Sequence, residues 1–262
     1  ETVGPITRGR RRRNSAARKG NMMQTGKAEL HMPTSLRGIA NRARKDKEAR
    51  FGNLCGLLNV DNLRMCFYGL RKNAAVGIDG VTFEEYEERL EENLAELVEK
   101  LKARRYRAKL VRRRNIPKGE GKMRPLGIPA LEDKVVQRAC GEILVAIYEK
   151  DFLDCSWGYR PGRSPREATR VLETELHRGR YGWVVEADIR SFFNNIEHDW
   201  MITMLERRVN DRAFIRLIRK WLKAGIMEED GQIVHPATGT PRRGIVSPIL
   251  ANIYLHYALD LW

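Results

Sequence analysis

The spacing of apolar residues predicts a chain made mostly of amphipathic helices. Thr82 and Glu85 form a T-x-x-E capping box, which marks a helix start. In the segment that follows, leucine and valine recur every three to four residues, the period of a buried helix face. These positions are Leu90, Leu94, Leu97, Val98 and Leu101. The glutamates between them therefore belong to a solvated face.

The same reading predicts several other elements. Helices are expected over residues 35–50, 61–72, 131–148, 166–177 and 198–209, then through Leu222, and finally from a cap at Ser247 with Tyr257 and Leu261 buried. Strands are expected within 109–128, joined by a turn at 118–122, and in a hairpin over 226–234. The apolar run 183–189 predicts a further, buried strand. Helices and hairpins without regular alternation indicate an α+β fold.

The distribution of charge adds a class of partner to this picture. The 262 residues carry 49 Lys and Arg against 34 Asp and Glu, a net charge of +15. Residues 1–50 and residues 102–124 each hold a net +10, whereas the segment 84–99 is strongly acidic. Segregated basic blocks favour a polyanion, most simply nucleic acid. The alternative is a solvated basic surface without a specific partner.

Several function classes do not fit the sequence. No run approaches the roughly 18 apolar residues of a membrane span, which excludes a membrane protein. Four cysteines without a C-x-x-C pair argue against disulfide and zinc scaffolds and fit a reducing, cytoplasmic compartment. Neither a G-x-G-x-x-G nor a P-loop motif is present. Residues 1–33 are expected to form a flexible basic arm.

Two places in the chain, Asp188 and the pair Lys118 and Arg124, each suggest a chemical role by themselves. Asp188 ends the predicted strand 183–189, where an acid is well placed to hold a metal ion at a sheet edge; capping of the following turn is the alternative. Lys118 and Arg124 flank a glycine-rich turn and could grip a triphosphate, or could belong to an exposed basic hairpin. Phe192 and Phe193 alone would be interpreted as core residues.

Four segments, taken in their order along the chain, favour one interpretation of these residues. They are KGEGKMRPLGIP, YRPGRS, VVEADIRSFFNNIEH and GTPRRGIVSPILANIYL. Together they resemble the successive blocks of reverse transcriptases, and most of all the group II intron-encoded class, the maturases and their bacterial relatives. The resemblance covers about residues 34–262. It implies the fingers and palm of a right-hand polymerase, with the amino-terminal extension and fingers over 34–130 and a partial palm over 131–262.

The resemblance also implies roles for individual residues. Asp188 would be the first catalytic aspartate and would bind Mg²⁺, with the backbone carbonyl of Ile189 completing one metal site. Two such metal ions would activate a primer hydroxyl and stabilise the leaving pyrophosphate. Lys118 and Arg124 would hold the incoming triphosphate.

Further roles fall on the segments around Asp188. The backbone amides of Ser191 and Phe192 would contact the triphosphate. Phe193 would be the steric gate that excludes a 2′-hydroxyl. Arg160 and Arg163 would contact the template or primer backbone.

The chain departs from the family pattern in two places. Arg242 stands where the family usually has glutamine near the sugar of the nucleotide, which puts nucleotide selection in doubt. The sequence also contains no Asp-Asp pair, the motif that supplies the remaining metal ligands. Tyr257-Ala258-Leu259-Asp260 is superficially similar but is interpreted as core. The chain is therefore expected to end before that motif and to be inactive by itself.

The function expected of the whole protein is RNA-directed DNA synthesis on an intron RNA template. A DNA or RNA primer and deoxynucleotides would be its other partners, and a homodimer is one possible assembly. The alternative is a non-catalytic RNA-binding maturase module that assists intron splicing. A generic basic RNA-binding protein is a third and weaker interpretation.

Overall fold

Nine α-helices and a small sheet account for the regular structure that the computed structural model describes, over residues 34–119, 122–179, 181–240 and 244–261. The predicted arm over 1–33 and Arg242 lie outside the described residues. The helices are α1 (Thr34–Lys45), α2 (Val60–Tyr68), α3 (Phe83–Glu87), α4 (Leu90–Lys102), α5 (Leu131–Tyr148), α6 (Pro165–His177), α7 (His198–Glu206), α8 (Arg212–Leu222) and α9 (Ser247–Leu255). The strands are β1 (Val111–Gly119), β2 (Lys122–Ile128), β3 (Ile226–Met227) and β4 (Ile233–Val234).

Helix α5 is the centre of the core. Thirteen of its residues are buried, including Leu144, Ile147 and Tyr148. Helices α1, α2 and α9 all pack against it. Each fully buried side chain of this size contributes about 1.5–3 kcal/mol to folding. The predicted boundaries of this helix are confirmed. None of the helices in the described ranges is both long and apolar enough to cross a membrane.

The capping box predicted at Thr82 is confirmed. Its hydroxyl accepts a hydrogen bond from the Glu85 amide at 3.2 Å, and the Glu85 carboxylate accepts one from the Thr82 amide at 2.9 Å. The helix that follows is not continuous, however. It breaks between α3 and α4, where Arg89 leaves helical geometry with φ −125° and ψ 38°. The glutamates of α4 are exposed, as the pattern predicted.

The four strands form one sheet in the order β2-β1-β3-β4. Strands β1 and β2 form the predicted antiparallel hairpin, and β3 and β4 form the second one. A short parallel pairing of Val111 with Ile226 joins the two hairpins. Together with the helices, this sheet confirms the α+β class.

The strand predicted over 183–189 is wrong. This segment is extended but belongs to no strand of the described sheet, and Trp183 and Val185 are 91% and 90% exposed. An extended segment becomes a strand only when a neighbour satisfies its backbone N–H and C=O groups. No described segment pairs with it in this way.

Two expectations for the last helix are also wrong. Its N-cap is Val246 rather than Ser247, which is the first helical residue. The helix then widens into a π-helical turn, His256–Asp260. The extra residue per turn rotates the following side chains away from the buried stripe. Leu259 and Leu261 are consequently 60% exposed, although Leu261 and the segment 257–260 were expected to be buried, whereas Tyr257 packs partly buried against the core.

Candidate functional site

A tight turn follows Asp188 and shapes the candidate site. The chain makes a 3-10 turn, Phe192–Asn194, and Ser191 enters it in the left-handed conformation with φ 52° and ψ 34°. Its carbonyl accepts a hydrogen bond from the Asn194 amide at 2.9 Å. Non-glycine residues held in this region cost of order 1–3 kcal/mol and are concentrated at functional sites. The sequence carried no signal for this strain.

The segment 238–240 packs directly on this turn. The Thr240 amide donates to the Phe193 carbonyl at 2.8 Å, and the Gly239 amide donates to the Ile196 carbonyl at 2.7 Å. The buried His198 ring completes the contact, since its Nε2 lies 2.7 Å from the Gly239 carbonyl. These bonds bring the third and fourth sequence blocks together in space.

Gly239 is the residue that allows this close approach. Its φ of +89° favours glycine, and a Cβ there would lie 2.8 Å from the carbonyl oxygens of both Phe193 and Asn194. Neither Gly239 nor His198 was predicted as a site residue. The G-T-P tripeptide inside the fourth block was the signal that could have pointed to Gly239.

The two phenylalanines of the turn are placed differently. Phe192 is partly buried against the core and meets Tyr254 of α9 edge to face, with ring centroids 6.2 Å apart. Phe193 packs on Phe192 at 5.6 Å and keeps part of its ring in solvent. Phe192 therefore anchors the turn, while the ring of Phe193 is accessible to a ligand.

Asp188 is exposed, and so is Ile189. A carboxylate and a backbone carbonyl are the hard oxygen donors that Mg²⁺ prefers. The described residues contain no group of three His, Cys, Asp or Glu side chains that could hold a metal ion. The donors present therefore do not form a divalent-cation site by themselves.

The basic hairpin carries Lys118 and Arg124 on opposite strands. Lys118 lies near the end of β1, and its side chain is outside the described structure. Arg124 pairs with Ile116 across the hairpin and is exposed. Within the described ranges, no hydrogen bond or ion pair joins Arg124 to Asp188. Glu229 holds strand β1 of this hairpin in place. Its carboxylate accepts hydrogen bonds from the backbone amide and the side-chain amide of Asn115, both at 3.0 Å.

The loop between α5 and α6 holds the two predicted nucleic-acid contacts. Arg160 is 6% exposed and pairs with Glu149 at 2.8 Å, while its guanidinium also donates to the Leu153 and Ser156 carbonyls. Arg163 is likewise engaged within this loop. Both guanidinium groups brace the loop, and their contact with nucleic acid stays a prediction.

Two buried polar side chains that the sequence did not single out connect these pieces. Gln137 of α5 accepts from the Ile245 amide at 3.0 Å and so holds the approach to α9. Asn252 of α9 donates to the Gly158 carbonyl at 2.8 Å and ties the arginine loop to the same helix. Helix α9 thus supports both the loop and, through Tyr254, the turn after Asp188.

Comparison with known proteins gives consistent matches. The family model described as reverse transcriptase (RNA-dependent DNA polymerase) matches residues 116–262. The chain is 39% identical over 201 residues to the group II intron-encoded protein LtrA of Lactococcus lactis subsp. cremoris, covering 76% of this chain and 33% of that protein. It is also 39% identical over 185 residues to protein YkfC of Escherichia coli K12, covering 69% and 48%. The chain thus spans about a third to a half of these relatives.

Solved structures support the fold. A chain of the partial Cas6-RT-Cas1–Cas2 complex superimposes with a TM-score of 0.50 at 22% sequence identity, covering 79% of this chain and 34% of that one. At this identity the likeness concerns the fold alone.

Proposed function

The chain belongs to the reverse transcriptase (RNA-dependent DNA polymerase) family and is similar to its group II intron-encoded members, and we propose that it supplies the fingers and part of the palm of an RNA-directed DNA polymerase. The observation that carries this proposal is the junction of the third and fourth blocks. Three hydrogen bonds hold the strained turn after Asp188 and the residues that follow it, up to His198, against Gly239 and Thr240. A preorganised turn of this kind costs stability and is expected where it positions a substrate.

In this proposal, Asp188 contributes one carboxylate to a Mg²⁺ site, with the Ile189 carbonyl beside it. Mg²⁺ supplies charge stabilisation for phosphoryl transfer when it is bound. A single carboxylate binds such an ion weakly, so further acidic ligands are required from outside the described residues. Asp188 is free to take part, because it is exposed at the end of an extended segment.

The surrounding residues would hold and select the nucleotide. Arg124 is exposed on β2, where its planar fork suits a phosphate, and Lys118 lies across the same hairpin. The backbone amides of Ser191 and Phe192 are the proposed contacts to the triphosphate. Phe193 is the proposed steric gate, which its accessible ring supports.

The remaining assignments concern template and sugar. Arg242 would lie near the sugar of the nucleotide, by its position in the fourth block. Arg160 and Arg163 would support the path of the template or primer backbone. The proposed substrates are an RNA template, a primer and deoxynucleotides.

The test compares Asp188→Ala with Glu186→Ala in the complete gene product that carries this sequence. Both side chains are exposed acids on one extended segment, so the control removes the same charge two residues away. We expect Asp188→Ala to abolish Mg²⁺-dependent primer extension and to leave RNA affinity unchanged, while Glu186→Ala retains both. Extension that survives Asp188→Ala would contradict the proposal. RNA binding without any extension by the unaltered protein would favour the non-catalytic maturase module instead.

A further inference from the structure

Helix α8 carries a continuous basic face outside the candidate site. Its cationic residues recur at spacings of four, three, one and three, which places them on one side of the helix. This α8 basic face consists of Arg212, Arg216, Arg219, Lys220 and Lys223. The opposite side is buried in the core through Phe214, Leu217 and Trp221. The basic face is therefore fixed in space by the packing behind it.

All members of the α8 basic face except Arg212 line one wall of an open groove of about 440 Å³. Arg107 contributes to the facing wall, and the other lining residues are Ala108, Leu110, Ala224, Gly225 and His235. Gly225 brings the walls together, since a Cβ there would lie 2.7 Å from the side chains of both Leu110 and His235. No lining residue belongs to the four sequence blocks.

The cations of this groove have few acidic partners, although the Lys220 ammonium donates to the Tyr106 carbonyl. Among the described residues, no carboxylate lies within ion-pair distance of Arg107, Arg216 or Lys223. The guanidinium of Arg219 lies 3.4 Å from a carboxylate oxygen of Asp199, and both of these side chains are substantially exposed. Burial, and then the neighbouring Arg216 and Arg107, hold the pKa of Lys220 below its usual value. A bound polyanion would reduce the electrostatic repulsion between these neighbouring positive charges.

We propose that the α8 basic face and Arg107 bind the phosphate backbone of RNA, at a surface separate from the nucleotide site. From Arg212 to Lys223 the face extends about 17 Å along the helix, which is long enough to contact several phosphates of one strand. Arginine forks suit phosphate oxygens. A membrane surface fits less well, because an interfacial helix inserts into lipid through an exposed apolar face and the apolar face of α8 is buried.

The inference rests on the proposed function for its choice of RNA, but its test does not depend on catalysis. The probe is an RNA hairpin with a stem of about 20 base pairs, titrated against the complete gene product over a range of salt concentrations. The test variant is Arg216→Gln with Lys223→Gln. The matched control is Arg89→Gln with Lys102→Gln, at the two ends of α4, which removes the same charge from exposed residues that have glutamate partners.

We expect the α8 variant to lose roughly tenfold or more in RNA affinity near 0.1 M salt. The slope of log K against log salt should fall by about 0.7–0.9 for each phosphate contact removed. The control should change both quantities far less. Equal losses in the two variants, or an unchanged slope in the α8 variant, would overturn the inference. So would competition by anionic lipid vesicles that matches competition by unlabelled RNA.

A second variant, outside α8, shows whether a loss of RNA affinity could come from a folding defect in that helix. Arg107→Gln lies on the facing wall, outside the helix, and should lower RNA affinity and the slope in the same direction. Circular dichroism and thermal melting should be unchanged for all variants. If Asp188→Ala keeps full primer extension, the proposed function fails while the groove can still bind RNA. If the α8 and Arg107 variants bind normally while Asp188→Ala loses extension, only this inference fails.

Discussion

Replacing Gly239 with alanine tests whether the junction of the third and fourth blocks is built on close backbone contact. A Cβ would stand 2.8 Å from the carbonyl oxygens of Phe193 and Asn194, whereas ordinary contact begins near 3.4 Å, so the backbone must shift by about 0.6 Å. The segment is held by the Gly239 and Thr240 amides and by His198, at 2.7–2.8 Å. Each such bond contributes about 1 kcal/mol net, and the shift weakens all three.

Gly231 provides a matched control for this substitution. Its φ of +86° is nearly that of Gly239, but a Cβ there meets nothing within 4 Å. Both alanine variants therefore carry the cost of a left-handed backbone, about 1–2 kcal/mol. Gly239→Ala should cost a further ~2–3 kcal/mol, so its total loss is about 3–5 kcal/mol.

Urea unfolding of the two alanine variants measures the difference. The midpoint should fall much further for Gly239→Ala, and the slope m should be the same in both variants. Equal losses for the two substitutions would refute the reasoning, because the contact with Phe193 would then carry no cost of its own.

Two further predictions follow from individual side chains. Burial raises the pKa of Asp133 from its usual 3.8 to about 6. Between these pH values the folded protein therefore binds a proton that the unfolded chain releases. The resulting contribution to stability is present below pH 4 and is lost as the pH rises through 6. Relative to Asp133→Asn, the unaltered protein should lose up to about 3 kcal/mol of unfolding free energy across that window; parallel pH curves would contradict this. Phe193→Ala should admit ribonucleotides in primer extension by the complete gene product, and unchanged discrimination would remove Phe193 from the steric-gate role.

Local signals in the sequence determined most of the helices and both hairpins. The boundaries of α5 follow from an almost unbroken apolar pattern, and the start of α3 follows from the Thr82 capping box. These features depend on residues a few positions apart, so no distant contact could overrule them. The order of the four motif blocks along the chain likewise indicated the family.

Tertiary structure decided how those blocks meet. The hydrogen bond from the Thr240 amide to the Phe193 carbonyl joins residues 47 positions apart, and only the fold brings their backbones together. The groove beside α8 depends in the same way on Arg107, which precedes the helix by more than 100 positions in the chain. In both cases, nothing in the local sequence of one partner indicates that the other lies beside it.

The segment 183–189 shows the limit of the sequence most clearly. Its apolar residues specified an extended backbone but could not specify a neighbour, and without one among the described strands Trp183 remains exposed. Arg160 shows the same limit for a charged residue, since its buried ion pair with Glu149 could not be read from an R-P-G motif. Periodicity determines which face of a segment is apolar, whereas burial and charge pairing depend on what the rest of the chain places against that face.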